Sequence, residues 1–444
     1  MTRHPELEST LRRVGVIGGT DLARLLEVSP ATLSRRVRAA GPRVCRMGRR
    51  RGARYALRRP VRDLPWEVPL FRVDGAGRVA RIGELNPLEG GAHWLHRGEG
   101  RGVLYDGIPP FVADLQPQGF LGAAFSRRHP DLDLPERLRD WNADHALIAI
   151  ARRGEDGVGN LILGEESLAR LWASRERGVE AVDTSAYPEL ARTTVERPVG
   201  SLVGGEAPKF VAYSRDLAQH VLVKFTPGTG DAADQRWRDL LAAEAVALDT
   251  LAEYGFDTPA TRLIDQAGQR FLEVVRFDRV GEHGRVGIAS MASIDAEYVG
   301  HGSGWSRVAD ALVEARMLGD DCARRIRWLD VFGALIGNTD RHLGNISFLA
   351  PDPGAAGGQF ALAPVYDMLP MTFAPAGGWV RQADYAPRAP TAGEFGIWPE
   401  AARAATDYWE RMRGNARISA EFRALAEDAH QRLQALRARV EPAS

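Results

Sequence analysis

Lysine is almost missing from this 444-residue chain: of 58 basic residues only two are lysine, Lys209 and Lys224, and 56 are arginine. Where positive charge is spelled so consistently as arginine, a retained lysine points to a position that needs a compact ammonium rather than a planar fork, and holding nucleotide phosphates is one such task. Cysteine is equally scarce. Cys45 and Cys322 fall in different expected domains, without a C-x-x-C or a Cys/His ligand cluster, so neither a disulfide framework nor a zinc site is indicated and reduced thiols are expected. There is no basic-plus-apolar leader, no apolar run of membrane-spanning length and no lipidation motif, so the expected location is the cytoplasm, with no membrane partner. The 44% of apolar residues suffices for substantial cores, divided over two or three domains.

The zero formal net charge hides a strong asymmetry. Residues 1–62 hold 16 arginines against four acids, Glu6, Glu8, Asp21 and Glu27, a balance of +12 that leaves −12 on residues 63–444. That basic segment reads as a winged helix-turn-helix. Thr20 is placed to cap a helix running to Val28 with a leucine stripe, and Ser29 to cap a second helix with Pro30 in its first position. Leu33 and Val37 pair inward on that second helix, turning Arg35 and Arg38 outward with Thr32 at the flank. Residues 42–47 alternate like a strand, Arg49-Arg50-Arg51-Gly52 makes a basic turn and residues 53–57 return, as a wing does. Thr32, Arg35, Arg38, Arg49, Arg50 and Arg51 are the candidate DNA-binding residues, because clustered guanidinium groups suit a phosphate backbone.

The most informative stretch is Asn338-Thr339-Asp340-Arg341-His342-Leu343-Gly344-Asn345, followed by Pro364-Val365-Tyr366-Asp367. Asp340 and Asn345 stand five residues apart, the separation of base and metal ligand in a phosphoryl-transfer loop, and Asp367 supplies a second metal-binding carboxylate. A strand over residues 346–349, a turn at Pro351-Asp352-Pro353-Gly354 and a returning strand over residues 360–362 would carry Asp367 back towards Asn345. Alone, an Asp–Asn pair in such a string is more often a polar turn; the hairpin raises the chemical reading above it. Lys224 lies in the apolar run His220-Val221-Leu222-Val223-Lys224-Phe225, which reads as a strand, and Glu244 on the following helical segment is its candidate anchor. Upstream, Gly204 and Gly205 permit close backbone approach to phosphates, although the segment is neither a Walker A sequence nor a G-x-G-x-x-G and an ordinary hairpin turn fits equally well. His342 has a chemical context within the loop, with packing nearly as good an explanation.

These blocks, in this order, resemble the HipA-like serine/threonine kinases, the toxin components of bacterial toxin–antitoxin systems, over roughly residues 65–440. The anchors are Gly-Gly-Glu-x-Pro-Lys-Phe at 204–210, Val275-Arg276-Phe277-Asp278-Arg279, the 338–345 loop and Pro364-Val365-Tyr366-Asp367-Met368-Leu369-Pro370. The resemblance implies an α+β, protein-kinase-like bilobal fold that binds ATP and Mg²⁺, with Asp340 catalytic, Asn345 and Asp367 on metal and Lys224 on phosphates. It places Phe277 and Asp278 near adenine and ribose, and makes Ser201 the candidate autophosphorylation site. Its implied partners are a protein substrate, a translation component being the family-based candidate, and an antitoxin. The chain departs from the family in two places: Val275 stands where an acid often precedes the arginine, and a typical HipA toxin lacks the first sixty residues.

The expected organisation is a winged helix-turn-helix over 1–62, an accessory subdomain over 63–184 and an ATP-binding kinase core over 185–444 with a helical C-terminal part. Ile326, Leu329, Phe332, Leu335 and Ile336 line one helical face, and Ile418, Phe422, Leu425, Ala429, Leu433 and Leu436 a closing helix. Two other functions stay open on the residues alone: a small-molecule phosphotransferase, and a transcription regulator whose kinase-like part senses ligand.

Overall fold

The computed structural model describes residues 5–195, 207–349 and 359–441, the side chains of Pro5, Arg51 and Val195 excepted. The chain forms two compact units, one of residues 1–117 with 129–178 and one of residues 118–128 with 179–444. Residues 1–62 thus share a unit with most of residues 63–184, and residues 118–128 go with the other.

In the first unit, helices Pro5–Val14, Gly19–Leu25 and Pro30–Ala40 pack on a three-stranded sheet in which Arg54–Leu57 lies between Ile17–Gly18 and Val44–Met47. Leu7, Leu11, Leu22, Leu26 and Leu33 form its core. Ser29 caps the third helix, its hydroxyl accepting from the Thr32 N–H at 3.2 Å, and Pro30 takes the first position, where a missing N–H costs nothing. The helix before it begins at Gly19 behind Gly18, so Thr20 is not its cap, and Leu25 is 50% exposed instead of joining the apolar stripe. The same unit holds a five-stranded antiparallel sheet ordered Gly102–Tyr105, His93–His96, Val79–Pro87, Val68–Val73, Leu161–Leu163, with helices Ala143–Arg153 and Glu165–Arg177 packed against it. Gly83 is required there, because a Cβ would come 2.3 Å from the His96 carbonyl oxygen.

In the second unit a five-stranded sheet runs Thr261–Gln266, Gln269–Val275, Gln219–Phe225, Lys209–Ser214, Ala181–Val182, antiparallel except for the last pair. Side chains alternate across it, as the two-residue period of a strand dictates. Leu272 and Val274 face the helix Ala232–Glu253 through Leu240, Leu241, Leu248 and Leu251. Phe210, Val221, Val223, Phe225 and Phe271 pack on the other face with Tyr187 of the helix Tyr187–Val195. The helices Asp320–Leu335, Trp398–Gly414 and Ala420–Val440 enclose the main core, where Ile326, Leu329, Phe332, Leu335, Trp398, Trp409 and Phe422 are fully buried. No helix among the described residues is long and apolar enough to cross a membrane.

One carboxylate interrupts the apolar outer face of this sheet. Glu273 is 0% exposed, takes hydrogen bonds from the Tyr187 hydroxyl and from Arg262 at 3.1 Å, and has no partner for its second oxygen. Removing the hydroxyl leaves a buried charge poorer by one donor, so Tyr187→Phe is expected to cost about 1–3 kcal/mol. Urea denaturation checks this: the midpoint falls while the slope stays unchanged.

Candidate active site

The two lysines meet in the sheet. Lys209 and Lys224 are directly opposite one another on neighbouring antiparallel strands, and such partners project to the same face. Like charges in that arrangement repel, and the helix behind the sheet supplies the opposite sign. Glu244, in the middle of Ala232–Glu253, receives the Lys224 ammonium at 2.7 Å on both carboxylate oxygens, with the two side chains 6% and 2% exposed. Asp367 closes on the same ammonium from a distant segment. Its backbone is left-handed, φ 51°, which turns the carboxylate out of the line of the chain.

Electrostatics follow from this geometry. Burial alone would raise the Asp367 carboxyl, but the positive charges of Lys224, Lys209 and His342 outweigh it and hold the pKa down at about 2. Burial would lower Lys224, yet Asp367 and Glu244 together raise it above its ordinary value. For Glu244, burial wins over the pull of Lys224 and its pKa is raised.

The loop that follows the helix Asp320–Leu335 is organised by Asn338, a buried residue whose importance the sequence reading did not single out. Its side-chain oxygen accepts from the Asp340 N–H at 2.9 Å and its amide points at the Asp367 carbonyl at 3.4 Å, so one side chain links the two acid-bearing segments. The two-residue spacing to Asp340 is that of an Asx turn, a signal present in the letters. Asn345 donates to the Asp340 carbonyl at 2.9 Å and to its carboxylate at 3.3 Å, leaving its own Oδ1 out of these bonds. Arg341 braces the loop from below, bonding the Asn338 carbonyl and the Asp330 carboxylate at 3.0 Å. Gly333 makes room for it, since a Cβ there would lie 2.6 Å from the arginine stem. Trp305 donates to the His342 carbonyl at 2.9 Å, and Tyr366 donates to the Gly344 carbonyl at 2.9 Å. Nothing in the sequence pattern announced Trp305 or Asp330.

The strand Ser347–Leu349 pairs with Ala361–Leu362 as the hairpin requires, and the turn at 351–354 lies outside the described residues. His342 is 59% exposed on its side chain, with Nε2 3.9 Å from Asp340 and Nδ1 accepting from the Gly344 N–H at 3.0 Å. Phe277 packs its ring 5.9 Å from Tyr366. Asp278 is gripped by Arg276 at 2.8 Å and Arg279 at 2.5 Å and is 5% exposed. Ser201, Gly204 and Gly205 lie outside the described residues.

A family model for the HipA-like C-terminal domain matches residues 201–439, and one for the middle domain of YjjJ-like toxins matches residues 64–172. The chain is 33% identical to Toxin YjjJ of Escherichia coli K12 over 430 residues, 95% of each protein. The chain belongs to the HipA-like family. A second relative of this HipA-like chain, the putative kinase Y4dM of Sinorhizobium fredii, is 26% identical over 284 residues, covering 59% of the chain and 62% of the relative. HipA of Shewanella oneidensis, solved in a complex with HipB and operator DNA, matches with a TM-score of 0.55 at 16% identity, covering 84% of this chain and 97% of that one. The fold is therefore the α+β, kinase-like HipA fold.

Of the candidate DNA-binding residues, Arg35 and Arg38 are exposed on the helix Pro30–Ala40, and Arg49 and Arg50 are exposed at the turn between the strands Val44–Met47 and Arg54–Leu57. Thr32 is half-buried at the helix start, its hydroxyl accepting from Arg35 at 3.1 Å. The Arg51 side chain lies outside the described residues. Several other arginines of the segment are spent internally: Arg24 on Asp21 at 2.9 Å, Arg36 on Glu6 at 2.8 Å and Arg43 on Glu8 at 3.0 Å.

Proposed function

We propose that this chain is an ATP- and Mg²⁺-dependent serine/threonine protein kinase of the toxin type, acting in the cytoplasm and carrying an N-terminal winged helix-turn-helix segment that binds DNA. One observation carries the reading: Lys224 meets both Glu244 and Asp367, and Asn338 joins the Asp367 segment to the loop of Asp340 and Asn345. The functional division follows the expected segments, with DNA binding in 1–62, an accessory subdomain in 63–184 and phosphoryl transfer in 185–444.

The donor set fits a metal–triphosphate. Mg²⁺ takes few protein oxygens and leaves its other positions to phosphate and water. Asp367 and the Asn345 Oδ1 would be the protein donors of such an ion. When bound, the metal and triphosphate supply the transferable phosphoryl group and neutralise its developing charge. Lys224 holds phosphate oxygens, Glu244 keeps the ammonium aimed, and Lys209 adds a second positive charge on the same face of the sheet. Asp340 orients the substrate hydroxyl and accepts its proton, held in place by the Asn345 amide. Phe277 and Asp278 serve the adenine side, Asp278 through the arginines it fixes, and His342 serves the nucleotide side of the loop. Gly204 and Gly205 belong to the phosphate-covering loop, with Ser201 as the autophosphorylation site.

The complex of Shewanella oneidensis HipA with HipB and operator DNA supports an antitoxin and DNA as partners here. A component of translation is the proposed protein substrate. Incubation with ATP carrying a labelled γ-phosphate tests the activity: label is expected on Ser201 and on a cellular protein, and tryptic mass spectrometry locates it. Label entering a small metabolite and no protein would replace this reading with that of a small-molecule phosphotransferase.

A further inference from the structure

We infer that the duplex-DNA contact surface extends beyond the winged segment onto the neighbouring five-stranded sheet, through Arg97 and Arg101; this rests on the DNA-binding reading above. The wing is joined to that sheet along its length. Cys45, Met47 and Ala56 on one face of the wing form a common apolar core with Leu88 and Trp94 of the larger sheet. Main-chain bonds continue across it, Arg59 N–H to the Pro87 carbonyl and Glu89 N–H to the Leu57 carbonyl, both at 2.9 Å. Arg58, its side chain 10% exposed, ties the Pro42 carbonyl at 2.7 Å, Asn86 at 2.7 Å and Glu67 at 2.5 Å into one knot. Groups on the two sheets therefore keep a fixed spacing, as register on a duplex demands.

The second observation fixes which groups matter. The strands His93–His96 and Gly102–Tyr105 are joined by a tight turn in which Arg97 N–H bonds the Arg101 carbonyl at 2.9 Å and Arg101 N–H bonds the Gly98 carbonyl at 3.0 Å. Gly98, Glu99 and Gly100 all have positive φ, 79°, 51° and 72°. Gly100 lies against the basic wing turn: a Cβ on it would come 2.6 Å from the Cγ of Arg49. The two turns are thus neighbours, so Arg97 and Arg101, which flank Gly98–Gly100, stand beside the wing turn that carries Arg49 and Arg50. Arg101 is 78% exposed, and the one acid beside it, Glu99, is 4.0 Å away and itself 73% exposed, a loose pair that a phosphate can displace. Arg49, Arg50 and Arg101 are exposed and Arg97 is half-buried; basic groups on two adjacent turns read backbone charge and spacing, which suits duplex phosphates and carries no base preference.

The test uses the full-length chain and a labelled double-stranded fragment of its own upstream DNA, titrated over a range of salt concentrations. Replacing Arg97→Ala and Arg101→Ala together is expected to weaken binding about tenfold or more and to flatten the log–log salt slope by about 1 to 2, equally for unrelated duplexes. Arg97→Lys with Arg101→Lys keeps the charge and is expected to keep the slope, which separates lost phosphate contacts from a damaged turn. Wild-type chain that binds duplex while the double alanine variant matches it in affinity and slope overturns this inference and leaves the winged segment as the DNA site. Wild-type chain that binds no duplex overturns the DNA reading itself. Binding confined to single-stranded RNA, lost in the same variant, would also overturn the assignment to duplex DNA.

Discussion

Asp340→Ala is expected to reduce phosphoryl transfer by about a hundredfold or more, because it removes both the group that orients the nucleophile and the acceptor of its proton. The loop should survive the change. Its shape is held by the Asp340 main chain, whose N–H bonds Asn338 and whose carbonyl bonds Asn345, both at 2.9 Å, and by Arg341 on Asp330. Initial rates of label transfer to protein, measured beside thermal melting, check the separation: the rate collapses and the melting temperature stays. In cells, expression of the wild type should arrest growth and expression of the variant should not. Equal arrest by both would assign the toxicity to DNA binding or another cause.

The second large effect is on stability as well as activity. Lys224→Met leaves Glu244, 2% exposed, without the cation that bonds both its oxygens, and breaking a buried pair of this kind costs about 3–5 kcal/mol. Adding Glu244→Gln should recover much of that loss without restoring transfer, and the non-additivity of the cycle measures the pair. The pH dependence has a definite sign. Asp367 is held down to about pH 2, so its contribution is complete above the ordinary carboxylate range and is lost as pH falls through that value. Lys224 is raised, so its contribution is complete below the ordinary amine value and is lost only as pH rises through the still higher folded one. Glu244 acts the other way: burial raises it, so its ionisation costs stability at high pH and the cost is relieved as pH falls through its raised value. Urea midpoints across acid and alkaline buffers should therefore show the Asp367 limb in the wild type and lose it in Lys224→Met.

Much of the site was legible because its signals are short-range or compositional. The five-residue interval from Asp340 to Asn345 is written in the chain, a strand places Lys224, and scarcity alone marked the two lysines. What scarcity could not tell is that they are cross-strand partners, since pairing register is a property of two strands together. Nor could the letters show that Arg276 and Arg279 close on Asp278 as a clamp. In the fold, Ser29 and Pro30 marked a helix start correctly because a cap is a local device. Thr20 did not, because Gly18 takes the cap position and the helix already runs from Gly19. The first helix, Pro5–Val14, was missed although Leu7 and Leu11 stand four apart with Glu6 and Glu8 in its first turn. Both faces of the wing carry apolar residues that are buried, one on its own helices and one on the larger sheet. Alternation of apolar residues cannot distinguish those two coverings.

The cross-strand lysines have a practical consequence for chemistry done on this protein. Because lysine is the only side chain with a primary amine and occurs twice, an amine-directed acylating reagent finds only two side-chain amines, both on one face of one sheet and one of them 6% exposed. A reagent of that kind, applied without any engineering, reports among the side chains on a single location.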